Sequence, residues 1–235
     1  MFAPGDAQKG VYFKTMYKVP YRDDYTKITA DDHGFTYGDD LLGVMSTVLD
    51  GLGPGLTALL VPGLVNKLFP LAFTANQSMT GTLGETFSNT KFRGKAASAA
   101  IGVSSEHAST VLEEIVAINK QFPFAGALAL RYVKGTDALL GFTHFPKTCI
   151  MELDGVDSKL SRSFVQKVWT RLGELDIPFT MHWGKFNFGL TPALVQKMYG
   201  ENLLKWKSCR ASLLTQEARK VFTNNFMVQC GLTDA

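Results

Sequence analysis

An α+β fold, with an antiparallel sheet and its helices on one face, is predicted by three observations in the 235-residue sequence. Short apolar runs at 96–103, 127–133, 148–153 and 179–183 read as strands. Two stretches with helical spacing, near 105–120 and 158–176, fall after the first and third of them. The resulting order, strand, helix, strand, strand, helix, strand, is the split βαβ or ferredoxin-like arrangement, which leaves the other sheet face free of helices.

Residues 1–40 are polar, rich in aromatics and turn formers, and read as an extended N-terminal arm in which His33-Gly34 is a turn. The 41–73 segment is apolar but studded with Gly51, Gly53, Pro54, Gly55, Pro62 and Gly63, so broken helices are expected. Asn76 to Lys95 reads as a loop; it contains Asn76-Gln77-Ser78, a glycosylation-type triplet of a kind that often arises by chance. Ser104-Ser105-Glu106 supplies an N-cap with an acid in the first turn, and Val111, Leu112, Ile115 and Val116 form the stripe of the helix that follows. In the second strand, alternation separates Leu128, Leu130 and Tyr132, assigned to the helix side, from Ala127, Ala129, Arg131 and Val133. Asp154-Gly155 closes the third strand. Ser158 or Ser161 caps the next helix, whose stripe is Leu160, Phe164, Val165, Val168, Trp169, Leu172 and Leu175. Thr191-Pro192 opens a C-terminal helix, and further short helical pieces follow. Three segments result: an arm with broken helices (1–95), the sheet core (96–190) and a helical return (191–235).

Hydrophobic residues make up 46% of the chain and charged residues 19%, enough for a buried core. Lys+Arg 24 against Asp+Glu 21 leaves a formal +3, too mild for a phosphate-tracking surface, so nucleic acid is not expected. Cys149, Cys209 and Cys230 are widely spaced and include no CxxC pair, which argues against a disulfide framework and for a reducing, cytoplasmic compartment. The four histidines are dispersed, without metal-ligand spacing. The first residues lack a secretory pattern. The uncharged stretch between Asp50 and Lys67 is shorter than the roughly 20 residues a membrane-spanning helix needs.

Two alanines beside a guanidinium, at Ala127, Ala129 and Arg131, suit a surface that something flat and electron-rich approaches closely. The same pattern fits an arginine that pairs with an acid at a domain interface, and both readings stand at this point. His182, with an ordinary pKa of about 6.5, is the natural proton acceptor, and Arg131 and Lys185 are candidate cations. A histidine at a strand end is equally suited to a structural role.

The run Ile177-Pro178-Phe179-Thr180-Met181-His182-Trp183-Gly184-Lys185 resembles the His-Trp-Gly-Lys segment of aldonolactone and alditol oxidases, FAD-dependent enzymes of the vanillyl-alcohol-oxidase type. Trp206, Arg210, Leu213-Leu214 and Phe222-Thr223-Asn224-Asn225-Phe226 resemble the family's closing pattern, and Arg131 falls on the arginine of its Glu-x-Arg strand. The resemblance covers about residues 90–232. It implies the substrate (cap) domain of an FAD-linked oxidase acting on an alcohol or lactone carbon, with the flavin domain absent from this chain. On that basis His182, Lys185 and Arg131 carry catalytic roles, Glu152, Tyr132 and Trp183 bind substrate, and Asn224 and Lys185 face the cofactor. Ala129 departs from the pattern, standing where many relatives have glutamate, and Glu152 on the neighbouring hairpin strand is the candidate replacement. The alternative is a cofactor-less binding or scaffold module that kept the fold. The greasy 41–73 segment and the helix-free sheet face need cover from a flavin domain or partner chain, from a second copy of the chain, or from the 41–73 helices themselves.

Overall fold

The computed structural model describes residues 15–25, 41–72, 80–87 and 95–233. His33-Gly34, Asn76-Gln77-Ser78 and most of the 1–40 arm lie outside these residues. Two helices, α1 (Leu41–Gly51) and α2 (Pro54–Ala72), precede the short α3 (Leu83–Phe87). The core then runs β1 (Ala96–Ser104), a 3-10 turn, α4 (Ala108–Gln121), β2 (Gly126–Lys134), β3 (Lys147–Val156), α5 (Lys159–Glu174) and β4 (Phe179–Met181). Helices α6 (Pro192–Tyr199), α7 (Glu201–Leu213), α8 (Gln216–Val221) and α9 (Asn225–Gln229) complete the chain.

The sheet order is β2-β3-β1-β4, as a split βαβ pair requires, and the strands are antiparallel. Ile101 pairs with Met181, Gly102 with Thr180 and Val103 with Phe179. Helices α4 and α5 lie side by side, Arg171 of α5 donating to Glu114 of α4 at 2.8 Å, as right-handed crossovers onto one face require. The caps fall where the sequence puts them. Ser104 Oγ accepts from Glu106 N, Ser158 Oγ from Ser161 N and Thr191 Oγ1 from Leu194 N, each satisfying an orphan donor of a helical first turn.

The broken helices expected over 41–73 form as a pair over the described residues, and two later details differ from the sequence expectation. The 41–73 segment breaks once, around Leu52 and Gly53, and α2 then runs through Pro62. Pro54 suits the first helical position, whereas Pro62, inside α2, lacks an N–H for the carbonyl of Ala58 and crowds it with its ring. Strand β3 continues through Gly155 to Val156 because Gly126 and Gly155 lie backbone to backbone: a Cβ on Gly126 would collide with Asp154 O, and one on Gly155 with Ala125 O. Leu130 and Tyr132, assigned to the helix side, are exposed. They lie on β2, which is an edge strand with a neighbour on one side only.

The chain forms two compact units. The first gathers residues up to Ala97 with Val116–Ala127 and Asp154–Phe164. Within it, Leu49 and Val61 pack with Ala125 and Val156, flanked by Met45, Val65, Ala96 and Leu160. Helices α1 and α2 therefore cover Ala96, Ala125 and Val156. Ser46 Oγ donates to Asp157 O at 2.6 Å, and Asp50 Oδ1 accepts from Lys159 N at 2.7 Å, so α1 also caps the start of α5. Phe124 stacks on Phe164 at 5.0 Å between centroids. The second unit, Ser98–Ile115, Leu128–Leu153 and Val165–Ala235, buries Ile101, Val103, Val111, Ile115, Met151 and Met181 among others. Among the described residues no helix is long and apolar enough to cross a membrane.

Phe164→Ala removes a fully buried ring and its stacking partner, and is expected to cost about 3–5 kcal/mol, read as a lowered urea midpoint with unchanged slope.

Candidate active site

The site is assembled by strand register in the second unit. Gly135 N donates to Pro146 O at 3.0 Å, and that register, followed along the hairpin, sets Tyr132 opposite Cys149, Arg131 opposite Ile150 and Ala129 opposite Glu152. The Tyr132 hydroxyl and Cys149 thiol do interact across the strands. On the other side of β3, a Cβ on Gly102 would meet Thr180 Oγ1 at 2.7 Å and Thr148 Cγ2 at 3.1 Å, so these residues share one face. Alternation then brings Ala100, Ala129, Glu152 and His182 to the same face, with Ala100 buried and Gly102 covered by Phe142 O.

Glu152 is the centre of this arrangement. Its carboxylate accepts from Arg131 Nη2 through Oε2, and from Lys185 Nζ through Oε1 at 2.7 Å. The side chains of Glu152, Lys185 and Arg131 are 10%, 21% and 64% exposed, so one buried anion joins a half-sheltered ammonium to a guanidinium open to solvent. Both bonds are charge-assisted, which stabilises a carboxylate that burial alone would disfavour. Glu152, opposite Ala129 on the neighbouring strand, is the acid that pairs with Arg131.

His182 stands beside the clamp. Its Nδ1 accepts from Gly184 N at 3.0 Å, so the neutral ring carries its proton on Nε2. Burial, and then the Lys185 charge, hold its pKa below the ordinary 6.5, outweighing the nearby Glu152 carboxylate. Its ring meets Phe142 edge-on at 5.1 Å. The expected proton acceptor is thus arranged as a hydrogen-bond donor at Nε2, since taking a proton there would create an imidazolium that must give up the Gly184 bond.

The remaining candidates lie apart from this cluster. Tyr132 alternates to the opposite face of β2 from Arg131, with Lys147 Nζ 5.7 Å from its ring centroid. Trp183 donates its indole N–H to Leu140 O at 3.0 Å and stacks on Tyr199, with Phe226 edge-on. Its side chain joins the 135–146 loop to the C-terminal helices. Asn224 is the N-cap of α9, its Oδ1 accepting from Met227 N at 2.9 Å. Arg210 is buried and donates to Arg219 O and Thr223 Oγ1, holding the turn between α7 and α9.

Sequence reading missed the part played by the loop between β2 and β3. Thr180 Oγ1 donates to Phe142 O at 2.6 Å, and Thr136 N to Thr143 O, fixing Phe142 against His182. Gly135 was the available signal: a Cβ there would collide with Phe145 O, so the loop can fold back only on glycine.

A flavin fits these residues poorly. Asn224 is committed to its cap, and Lys185 to Glu152. No described residue in this cluster offers the backbone amide cradle that a pyrophosphate needs. What the cluster can do chemically is bind and orient an oxygen-bearing ligand through two cations, one imidazole N–H and the remaining lone pairs of one carboxylate.

Two outcomes follow. Lys185→Met leaves a buried carboxylate short of a partner and should cost about 1.5–3 kcal/mol, whereas Arg131→Met, at the exposed end, should cost about 0–1 kcal/mol; urea unfolding of both variants reads the difference. His182 and His144, both held below 6.5 by burial, bind fewer protons folded than unfolded just under that value. Stability must therefore rise with pH through that window and fall between about pH 7 and pH 5, a slope that the H144Q/H182Q double variant should flatten in the same assay. No family model matches this chain, and no curated protein does either.

Proposed function

We propose that this chain is the substrate-binding portion of an FAD-dependent oxidoreductase acting on an alcohol or sugar-lactone carbon, with the flavin carried by another domain or a partner chain. The observation that supports this reading best is the Arg131–Glu152–Lys185 clamp beside His182. Glu152 receives a substrate hydroxyl on its remaining lone pairs, and Arg131 and Lys185 hold the carboxylate in place and offset charge that develops on oxygen. His182 Nε2–H donates to a neighbouring oxygen. These residues bind, orient and stabilise, and the redox step belongs to the cofactor.

Exposed aliphatic side chains support a covering partner. Val44 and Val48 of α1 and Leu56, Leu59, Leu60 and Leu64 of α2 face solvent in the first unit. A helical surface with this many exposed aliphatic side chains is the kind that another chain or domain buries.

A second reading, a binding module without a cofactor, is favoured by Asn224 and His182, which are spent on a helix cap and a local turn. Protein isolated with its native partners separates the two. The flavoprotein reading expects a flavin absorbance band that bleaches without oxygen when a bound polyol or lactone is added, and loses at least tenfold in bleaching rate with Lys185→Met. Saturable ligand binding with no flavin band leaves the module reading standing alone.

A further inference from the structure

Strand β2 closes one side of the sheet, and we propose that a second copy of this chain pairs with its outer edge, β2 against β2, about a two-fold axis at Leu130. The pairing goes beyond the substrate-binding reading and does not depend on it.

The bonds from Gly135 N to Pro146 O and from Val156 N to Ala125 O turn the backbone groups of odd-numbered β2 residues toward β3. Those of Leu128, Leu130, Tyr132 and Lys134 therefore point outward, and among the described residues no backbone group bonds them. The strand is nine residues long, lacks proline, and leaves Leu130 and Tyr132 36% and 57% exposed, so the usual guards of an edge are few. Arg131 and Lys134 are the features that oppose pairing, and the register must keep them from their own copies. A two-fold at Leu130 does so. It overlaps the whole of Gly126–Lys134 and sets outward residue against outward residue, Leu130 against the partner's Leu130 and Tyr132 against the partner's Leu128, as an antiparallel ladder requires. On the Glu152 face each large side chain then meets a small one, Arg131 opposite the partner's Ala129 and Val133 opposite the partner's Ala127. An axis one residue on, at Arg131, would instead set two guanidinium groups face to face. With the axis at Leu130, the exposed guanidinium, bonded to Glu152 through Nη2 alone, crosses Ala129 of the other copy toward the partner's Glu152, so opposite charges meet across the axis.

The test is sedimentation velocity of the full chain between about 1 and 100 μM, with hydrogen exchange followed residue by residue. A concentration-dependent dimer is expected, in which the amides of Leu128, Leu130 and Tyr132 gain protection as it forms. Leu130→Pro removes the outward amide at the axis and leaves the β2–β3 ladder its bonds, while Ala129→Arg sets a guanidinium against the partner's Arg131. Each should weaken the dimer at least tenfold, with circular dichroism checking that the fold is kept. A monomer throughout that range overturns the pairing. So does a dimer that survives either folded variant, which would put the contact elsewhere, as on the aliphatic side of α1 and α2. Where a variant does not fold, the parent chain decides: an edge that stays unprotected in the dimer overturns the pairing.

Discussion

A buried carboxylate needs countercharge, and the functional face of this protein is organised around giving Glu152 two. The requirement fixes the hairpin register, because only with Ala129 opposite Glu152 does Arg131, two residues on, reach the carboxylate from the edge strand. It also fixes where the chain goes after β4. The turn at Trp183 and Gly184 must return Lys185 to the sheet, and in doing so it places Gly184 N on His182 Nδ1. The imidazole tautomer is thus a consequence of the same turn that delivers the lysine. Each half of the clamp depends on backbone geometry that a single substitution cannot easily rebuild.

The surroundings serve that geometry. Thr180 and Gly102 allow the loop between β2 and β3 to lie close over the sheet, which brings Phe142 against His182 and excludes water from one side of the ring. Trp183 turns away from the carboxylate to tie the same loop to Tyr199, so adjacent residues of one short segment do different work. The result is a site rich in donors and poor in bases. It is suited to holding an oxygen-bearing ligand.

Much of the fold was legible because it is written in local periodicity. The stripes of α4 and α5 and the caps at Ser104, Ser158 and Thr191 follow from spacing and from orphan amides that must be satisfied close by. Glu152 was placed on the strand neighbouring Arg131, but its ion pairs with Arg131 and Lys185 were not read. What could not be read depends on contacts between distant segments. Nothing local says that β3 passes through Gly155, which is explained only by Gly126 across the ladder, or that Tyr132 sits on an edge strand. The donor state of His182 depends on one backbone amide two residues away, and the orientation of Trp183 on a carbonyl at Leu140. Asn224 looked available until the start of α9 was placed, whose first turn needs its oxygen.

The account stands or falls on whether the Arg131–Glu152–Lys185 cluster is where a ligand sits. The most direct measurement is a crystal structure of the full chain grown with D-sorbitol. The account predicts a ligand hydroxyl within hydrogen-bond distance of the Glu152 carboxylate, with Nε2 of His182 facing ligand oxygen. A ligand bound elsewhere, with the clamp unchanged, would contradict it.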